Sequence, residues 1–334
     1  MPKVSVGIIV KNESRSIKKL IESLLKQDFK DYEIVIVDGN STDGTQQIIQ
    51  DYKKRFPKKI KLIISDSGKR GLDRNIMLSK CKGKYICVID AGVTPTKSWI
   101  SELVYHFEKN RKRLPKLAGM GGKTKLIRDT WQKKTIYAFL ETPIGSGGSK
   151  QLNENIKKFT LVDSFPNCNG IYLSSIIKRT GYPPRHGAED FGLNRQLIKE
   201  GYLLGINPKP VVKHNYIESF SDFLKKMMDY GDMQARAFLQ SRTFRWYVPI
   251  VFLYGIYHLV ALILLFFKMR LPILLSIYSQ LLFFLFFGII YSAKKKNLIY
   301  MFSFIFYPLQ YFAYFVGMIN GLVYYIKFYS NRGV

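Results

Sequence analysis

The chain carries only three cysteines in 334 residues, Cys81, Cys87 and Cys168, and no C-x-x-C pair. That scarcity excludes a disulfide scaffold and a zinc ribbon; reduced, mostly buried thiols on a cytosolic face fit it better. No G-x-G-x-x-G follows the first apolar run and no G-x-x-x-x-G-K-[ST] occurs, so dinucleotide and P-loop readings lose most of their support. The opening MPKVSVGIIV is too short for a signal peptide and lacks a cleavage site, and it reads as a first strand. From Tyr247 onward there is no Asp or Glu at all, while seven Lys or Arg remain. The chain is two materials joined near residue 246.

What is abundant is positive charge. The formal net charge is +28, of which 21 lies before Tyr247. A surplus of that size suits a polyanionic partner such as nucleic acid, anionic lipid head groups or phosphorylated substrates; a Lys-rich surface of no specific purpose is the plain alternative. No aromatic-basic repeat or helix-turn-helix pattern is present, which argues against nucleic acid.

Three apolar runs, near Tyr247–Phe267, Leu271–Ala293 and Leu298–Ile326, are each long enough to cross a bilayer as a helix. The third is longer than a span needs and carries Pro308, so tilt or a kink is expected. The positive-inside rule places Lys294-Lys295-Lys296 on the cytoplasmic side, with Arg236, Arg242 and Arg245 beside them. The expectation is a multi-pass protein of the cell membrane with a cytosolic N-terminal domain and an external C-terminus. Just before the spans, Phe220, Phe223, Leu224, Met227, Met228 and Gly231 fall at helical spacing. The resulting amphipathic helix either lies at the membrane surface or packs on the preceding domain.

The first ~125 residues alternate. VSVGIIV (4–10), EIVIVD (33–38), KIKLIIS (59–65) and YICVID (85–90) read as strands. Ser14–Gln27, with Asn12 or Ser14 able to cap it, Asp43–Tyr52 and Leu72–Cys81 read as helices. Continuous apolar strands between helices predict an α/β fold with a mostly parallel sheet covered on both faces. Ligands then bind beyond the carboxyl ends of the strands. That rule gathers Lys11-Asn12-Glu13, Asp38, Ser65–Arg70 and Asp90 around one crevice.

The segments VSVGIIVKNE, EIVIVDGNSTDGT, GLDRNIMLSKCKGKYICVIDAGVTP and GAEDFGLNRQLIKEGY, in that order over roughly residues 3–215, resemble family 2 glycosyltransferases of the GT-A fold. The whole chain is most similar to membrane-bound members that act on lipid-linked or polysaccharide acceptors. The expected organisation is a Rossmann-like GT-A domain over 1–215, an amphipathic membrane-interface helix over 216–246 and an all-α transmembrane region over 247–334. The resemblance implies an inverting transfer from a nucleotide-diphosphate sugar. By position, Asn12, Glu13 and Asp38 would hold the base and ribose. Arg74-Asn75 stands where the family has A-R-N, with Asp73 in place of the usual small residue. Lys69 and Arg70, just upstream, can face the diphosphate.

Displacement at an anomeric carbon needs a base for the acceptor hydroxyl and charge stabilisation for the departing diphosphate. Asp190 is the candidate base and Glu189 shapes the site; simple capping and dipole compensation are the plain alternative for an acidic pair at a helix start. The family's D-x-D is reduced here to Asp90-Ala91-Gly92. Asp90 and His214, with phosphate oxygens and water, would make a thin site for Mn²⁺ or Mg²⁺, and His214 as an ordinary core or surface residue is the alternative. The Q-x-x-R-W of processive synthases has only a near match, Arg242-Thr243-Phe244-Arg245-Trp246. Single addition to a polyprenyl phosphate, a lipid-linked saccharide or a glycolipid is therefore the leading expectation. A polysaccharide synthase and a non-catalytic membrane subunit that keeps the fold are the competing ones.

Overall fold

The computed structural model describes residues 1–142, 145, 156–184, 189–241, 248–267 and 270–329. The chain divides into two compact units, one made of 1–127 and 149–216, the other of 128–148 and 217–334.

The first unit is built on β1 (Val4–Val10), β2 (Tyr32–Asp38), β3 (Ile60–Ile64) and β4 (Tyr85–Val88), which pair in parallel in the order β3-β2-β1-β4. The sheet continues through β8 (Gly170–Leu173), β6 (Leu117–Leu126), β9 (Leu203–His214) and β5 (Val93–Pro95). Here β8 runs antiparallel to both β4 and β6, while β9 runs parallel to β6 and antiparallel to β5. A two-residue strand, β7 (Thr160–Leu161), pairs with β9 outside that path. The expected α/β sheet is present; it is parallel through β3-β2-β1-β4, and beyond β4 it is mixed where a mostly parallel sheet was expected.

Alternation along β2 explains the layering. Ile34 and Ile36 point to one core, with α1 (Ile17–Leu25), α2 (Thr45–Arg55) and α4 (Trp99–Arg113). Val35 and Val37 point to the other, with α3 (Arg70–Lys80), α6 (Ser174–Thr180) and α7 (Glu189–Lys199). Both faces are covered, which is why the strands read as unbroken apolar runs rather than alternating ones. Each fully buried Ile, Val or Leu contributes about 1.5–3 kcal/mol relative to exposure. All three cysteines are free and buried, as expected.

The second unit is helical. It contains α5 (Trp131–Leu140), α8 (Phe220–Ser241), α9 (Val248–Phe266), α10 (Arg270–Lys295), a short 3-10 turn at Leu298–Phe302 and α11 (Ser303–Tyr329). Thr130 caps α5 by accepting from the Lys133 amide at 3.2 Å. Phe139 of α5 then packs on Phe223, Phe306 and Tyr307.

Helix α8 lies against α11. A Cβ on Gly317 would run into the Met228 carbonyl, and one on Gly321 would lie 2.6 Å from that of Asp232. The two helices therefore run in the same direction with their backbones almost touching, the small-x-x-x-small arrangement. That settles what the apolar stripe of α8 packs on: Phe223, Met227 and Ala235 are buried on its inner side.

Three spans were expected; among the described residues two stretches, Ile273–Lys295 and Leu298–Ile326, are long and apolar enough to cross a membrane. Helix α9 is 19 residues long and apolar throughout, VPIVFLYGIYHLVALILLF; the apolar stretch among its described residues is Val248–Ala261. The near match to Q-x-x-R-W at 242–246 lies outside the described residues.

Candidate active site

The loops after β1 and β2 are laced together. Asn12 adopts a left-handed φ of 55°, which asparagine tolerates better than most residues. Its amide N–H donates to Ser41 Oγ at 2.8 Å and its Oδ1 accepts from the Thr42 amide at 2.9 Å. The Glu13 amide donates to Thr45 Oγ1 at 2.8 Å, and the Glu13 side chain accepts from the Ser16 hydroxyl. Neither Asn12 nor Ser14 caps α1: the helix begins at Ile17, after Ser16, which makes no side-chain cap bond. The reason is that Asn12 is committed to the neighbouring loop.

Asp38 ends β2 fully buried. Its Oδ1 accepts from the Ser41 amide at 2.7 Å and from Gln46 Nε2 at 3.1 Å, while Oδ2 has no partner among the described residues. A buried carboxylate oxygen left open at the carboxyl end of a parallel strand faces the side where such folds bind ligands.

Arg74, on the first turns of α3, is the centre of the site. Its side chain is 4% exposed, with Nε donating to Glu189 Oε1 at 3.0 Å and one terminal nitrogen donating to Asp90 Oδ1 at 3.2 Å. The pair with Glu189 is buried on both sides; Asp90 is 41% exposed, so its half is screened by solvent. Burial alone would lower the Arg74 pKa, but Glu189 and then Asp90 outweigh it and hold the guanidinium charged. The second terminal nitrogen, Nη1, is buried with no partner among the described residues. Thus Arg74, Asp90 and Glu189, anticipated separately, form one network.

Asp190 follows Glu189 in the first turn of α7, and its Oδ1 accepts from the Phe191 amide at 2.7 Å. The site's negative field reaches Cys168, whose thiol is pushed up to about 12 by burial first, with Asp90 and Asp190 adding to it. The turn is anchored farther along the helix. Asn194, fully buried, donates to Ser164 Oγ at 3.0 Å and to the Phe165 carbonyl at 2.6 Å, and accepts from the Tyr172 hydroxyl at 2.9 Å. Tyr172 stacks on Phe165 at 5.2 Å, and Gly119, Gly121 and Gly170 leave the room those rings fill.

Gly92 and His214 are neighbours. Val93 pairs with His214 in the sheet, and a Cβ on Gly92 would lie 3.7 Å from His214 Nε2, an ordinary contact; among the described residues, chain neighbours aside, it meets only that imidazole within 4 Å. The His214 ring also meets Tyr216 edge-on at 5.2 Å. Asp90 and His214 thus flank one glycine, one bearing carboxylate oxygens and the other an imidazole nitrogen. No cluster of three His, Cys, Asp or Glu occurs among the described residues. The pair fits a divalent cation that takes the rest of its shell from diphosphate and water.

The other anticipated residues are placed differently. Lys69 and Arg70 are exposed at the start of α3. Asn75 spends its amide on the chain: Nδ2 donates to the Tyr182 carbonyl at 2.9 Å and Oδ1 accepts from the Tyr182 amide at 2.8 Å. Asp73 has its own task, accepting from Ser65 Oγ at 2.5 Å and Ser67 Oγ at 2.7 Å and so shaping the loop that leads to Lys69. Sequence reasoning missed Tyr172, Tyr182 and Asn194, since nothing in their local pattern separates them from ordinary core residues.

Comparison with known proteins gives the frame for this geometry. The family model described as glycosyl transferase family 2 matches residues 5–178, just over half of the chain. A dolichyl N-acetyl-alpha-D-glucosaminyl phosphate 3-beta-D-2,3-diacetamido-2,3-dideoxy-beta-D-glucuronosyltransferase from Methanococcus voltae is 28% identical over 232 residues, 68% of this chain and 71% of that protein. A poly(ribitol-phosphate) beta-N-acetylglucosaminyltransferase from Staphylococcus aureus is 30% identical over 127 residues, but the match spans 37% of this chain and only 22% of the relative. A mannosyltransferase from Pyrobaculum calidifontis, solved with GDP-mannose and Mn²⁺, superimposes with a TM-score of 0.63 at 15% identity, covering 96% of this chain and 87% of that one. That last likeness speaks to the fold, and the matched family model to the activity: the chain belongs to glycosyl transferase family 2 and is a glycosyltransferase.

Proposed function

We propose that this glycosyltransferase moves one sugar, with inversion, from a nucleotide-diphosphate sugar to a lipid-borne acceptor at the cytoplasmic face of a membrane. The observation that carries the reading is the buried Arg74, which ties Asp90 at the end of β4 to Glu189 beside Asp190. Donor-side and acceptor-side carboxylates are thereby held in one network. Support for the acceptor class comes from the name of the Methanococcus voltae relative, which acts on a dolichyl-linked saccharide phosphate. Support for the membrane comes from the two stretches long enough to cross one and from the exposed Lys294 and Lys296 between them. Lysines inside together with a cytoplasmic catalytic unit require α9 (Val248–Phe266) to cross as a third span; the C-terminus would then lie outside, and the catalytic work falls to residues within 1–215.

In this mechanism Asn12, Glu13 and Asp38 receive the nucleoside, with the open Asp38 Oδ2 as acceptor for a hydroxyl. Lys69 and Arg70 face the diphosphate as mobile cations. Asp190 takes the proton of the acceptor hydroxyl as its oxygen attacks the anomeric carbon from the face opposite the diphosphate. The carbon–oxygen bond to the diphosphate breaks and the leaving group departs with the electron pair. Glu189, neutralised by Arg74, fixes the start of α7 and so the direction of the Asp190 carboxylate. A divalent cation, Mn²⁺ or Mg²⁺, would be held by Asp90 and His214 and would supply charge neutralisation for the diphosphate.

The test is to incubate membranes bearing the full chain with a panel of radiolabelled nucleotide sugars, with and without EDTA, and to follow label into the organic phase. One donor should label lipid, EDTA should weaken the signal, and Asp190→Asn should abolish it while nucleotide binding persists. No lipid label from any donor defeats the reading. Full activity in Asp190→Asn would instead assign an acceptor oxygen that is already ionised, as in a lipid phosphate.

A further inference from the structure

Tyr182 is a buried side chain with an unused function. It is 3% exposed, and its hydroxyl has no hydrogen-bond partner among the described residues. Its position is not loose: Asn75 clamps its backbone on both sides, and its ring lies 5.6 Å from the Arg74 guanidinium carbon. Burial raises the phenol pKa well above its ordinary value, Arg74 opposes this, and Glu189, Asp190 and Asp90 add to it, so the oxygen sits in the field of the whole network and stays protonated. A buried hydroxyl normally finds a partner, because leaving one unpaired carries its full desolvation penalty.

A second unspent group is bonded to Tyr172, whose ionisation Tyr182 disfavours. Asn167 is 2% exposed; its Oδ1 accepts from the Tyr172 hydroxyl at 3.3 Å, while its Nδ2 has no partner among the described residues. Tyr172 in turn, its pKa raised first by its own burial, is close enough to Tyr182 for the Tyr182 phenol to add to that. Both unspent groups are neutral. A diphosphate calls for charged donors, whereas a sugar offers hydroxyl and acyl oxygens that neutral donors match.

We propose that the Tyr182 hydroxyl, with the Asn167 amide, lines the pocket for the transferred sugar and donates to one of its oxygens, a ring hydroxyl or an acyl carbonyl. This rests on the reading of the chain as a nucleotide-sugar-dependent transferase. Tyr182 is then a specificity-determining residue, reached through Arg74 and Asn75 and not through the D-x-D or E-D motifs.

Tyr182→Phe removes one oxygen and keeps the ring against Arg74. It is tested in the full chain with UDP-N-acetylglucosamine and GDP-mannose as donors and with UDP and GDP as nucleotide-only probes. Because the hydroxyl is unpaired, the unfolding temperature should be unchanged or higher. The kcat/KM for the donor used by the wild type should fall about tenfold or more, the loss expected for one hydrogen bond made at the reacting sugar. Affinity for the matching nucleoside diphosphate should not change. Tyr182→Leu, which also removes the ring, should lose stability and so separate the structural role from the polar one. Unchanged kcat/KM in Tyr182→Phe overturns the proposal, as does a parallel loss of stability and nucleotide affinity. A wild-type chain that transfers neither from these two donors nor from any other nucleotide sugar of the panel removes the underlying reading, and that result is seen before any substitution is made.

Discussion

Replacing Arg74 by Met should destabilise the α/β unit more than any single loss of an exposed charge. The substitution leaves Glu189 in a site where its side chain is 7% exposed, with its cation gone. Breaking a buried pair from one side costs about 3–5 kcal/mol, mainly because the survivor is a buried, uncompensated charge. The Asp90 half adds little, about 0–1 kcal/mol, since that carboxylate is 41% exposed and screened. For a unit of this size, each kcal/mol moves the unfolding midpoint roughly 2–4 °C, so a fall of about 6–20 °C is expected. The chain provides its own reporter: its three cysteines are buried and all lie in the first unit, so a thiol-reactive fluorogenic dye reads the unfolding of that unit alone. Adding Glu189→Gln to Arg74→Met should recover much of the loss, because the stranded charge is gone. A midpoint within about 2 °C of wild type, or a double substitution that is simply additive, would refute the reasoning.

Two further substitutions test separate parts of the structure. A Cβ at position 92 would have His214 Nε2, at 3.7 Å, as its nearest contact among the described residues, so Gly92→Asp should fold normally and restore a second carboxylate beside Asp90. The Mn²⁺ concentration for half-maximal transfer should drop roughly tenfold or more, and an unchanged metal dependence would count against Asp90 and His214 as its ligands. Gly317→Val should gain about 0.4 kcal/mol of helix propensity if α11 were free there, but its Cβ would run into the Met228 carbonyl of α8. A net loss of about 1–3 kcal/mol is expected instead, read as a lower aggregation temperature in detergent; a rise would mean the two helices are not in contact.

The parallel half of the sheet was legible because burial on both faces writes itself as unbroken apolar runs, and Asp38 and Asp90 could be found because each interrupts such a run. Arg74 was legible as a position but not as a hub, since Glu189 lies 115 residues away and no local pattern links them. Tyr182 gave no signal: a tyrosine ahead of two prolines reads as a turn, and only the fold shows that Asn75 holds it against the guanidinium. In the helical unit the apolar stripe of α8 was visible, while its partner was hidden in Gly317-Met318-Ile319-Asn320-Gly321, a small-x-x-x-small spacing that a span sequence should always be searched for. The grouping of 128–148 with the C-terminal helices had no counterpart in the composition, because an inserted helix that packs on other helices is as apolar as one that packs on a sheet.

Asp73 is the more instructive departure. As a single deviation from A-R-N it looked like a weakened motif. Its carboxylate is buried at 8% exposure and is answered by two serine hydroxyls, Ser65 and Ser67, from the same loop. A small residue at this position could not make those bonds, and the serines would have lost their acceptor. The serines and the aspartate are therefore one substitution spread over three positions, and the loop they brace is the one that ends in Lys69 and Arg70. Gly92 has no such compensation in carboxylates: among the described residues the only atoms within 4 Å of its would-be Cβ, outside its chain neighbours, belong to the His214 imidazole. One departure is thus absorbed by the loop that surrounds it, while the other leaves the character of any metal shell to a nitrogen ligand and to the substrate.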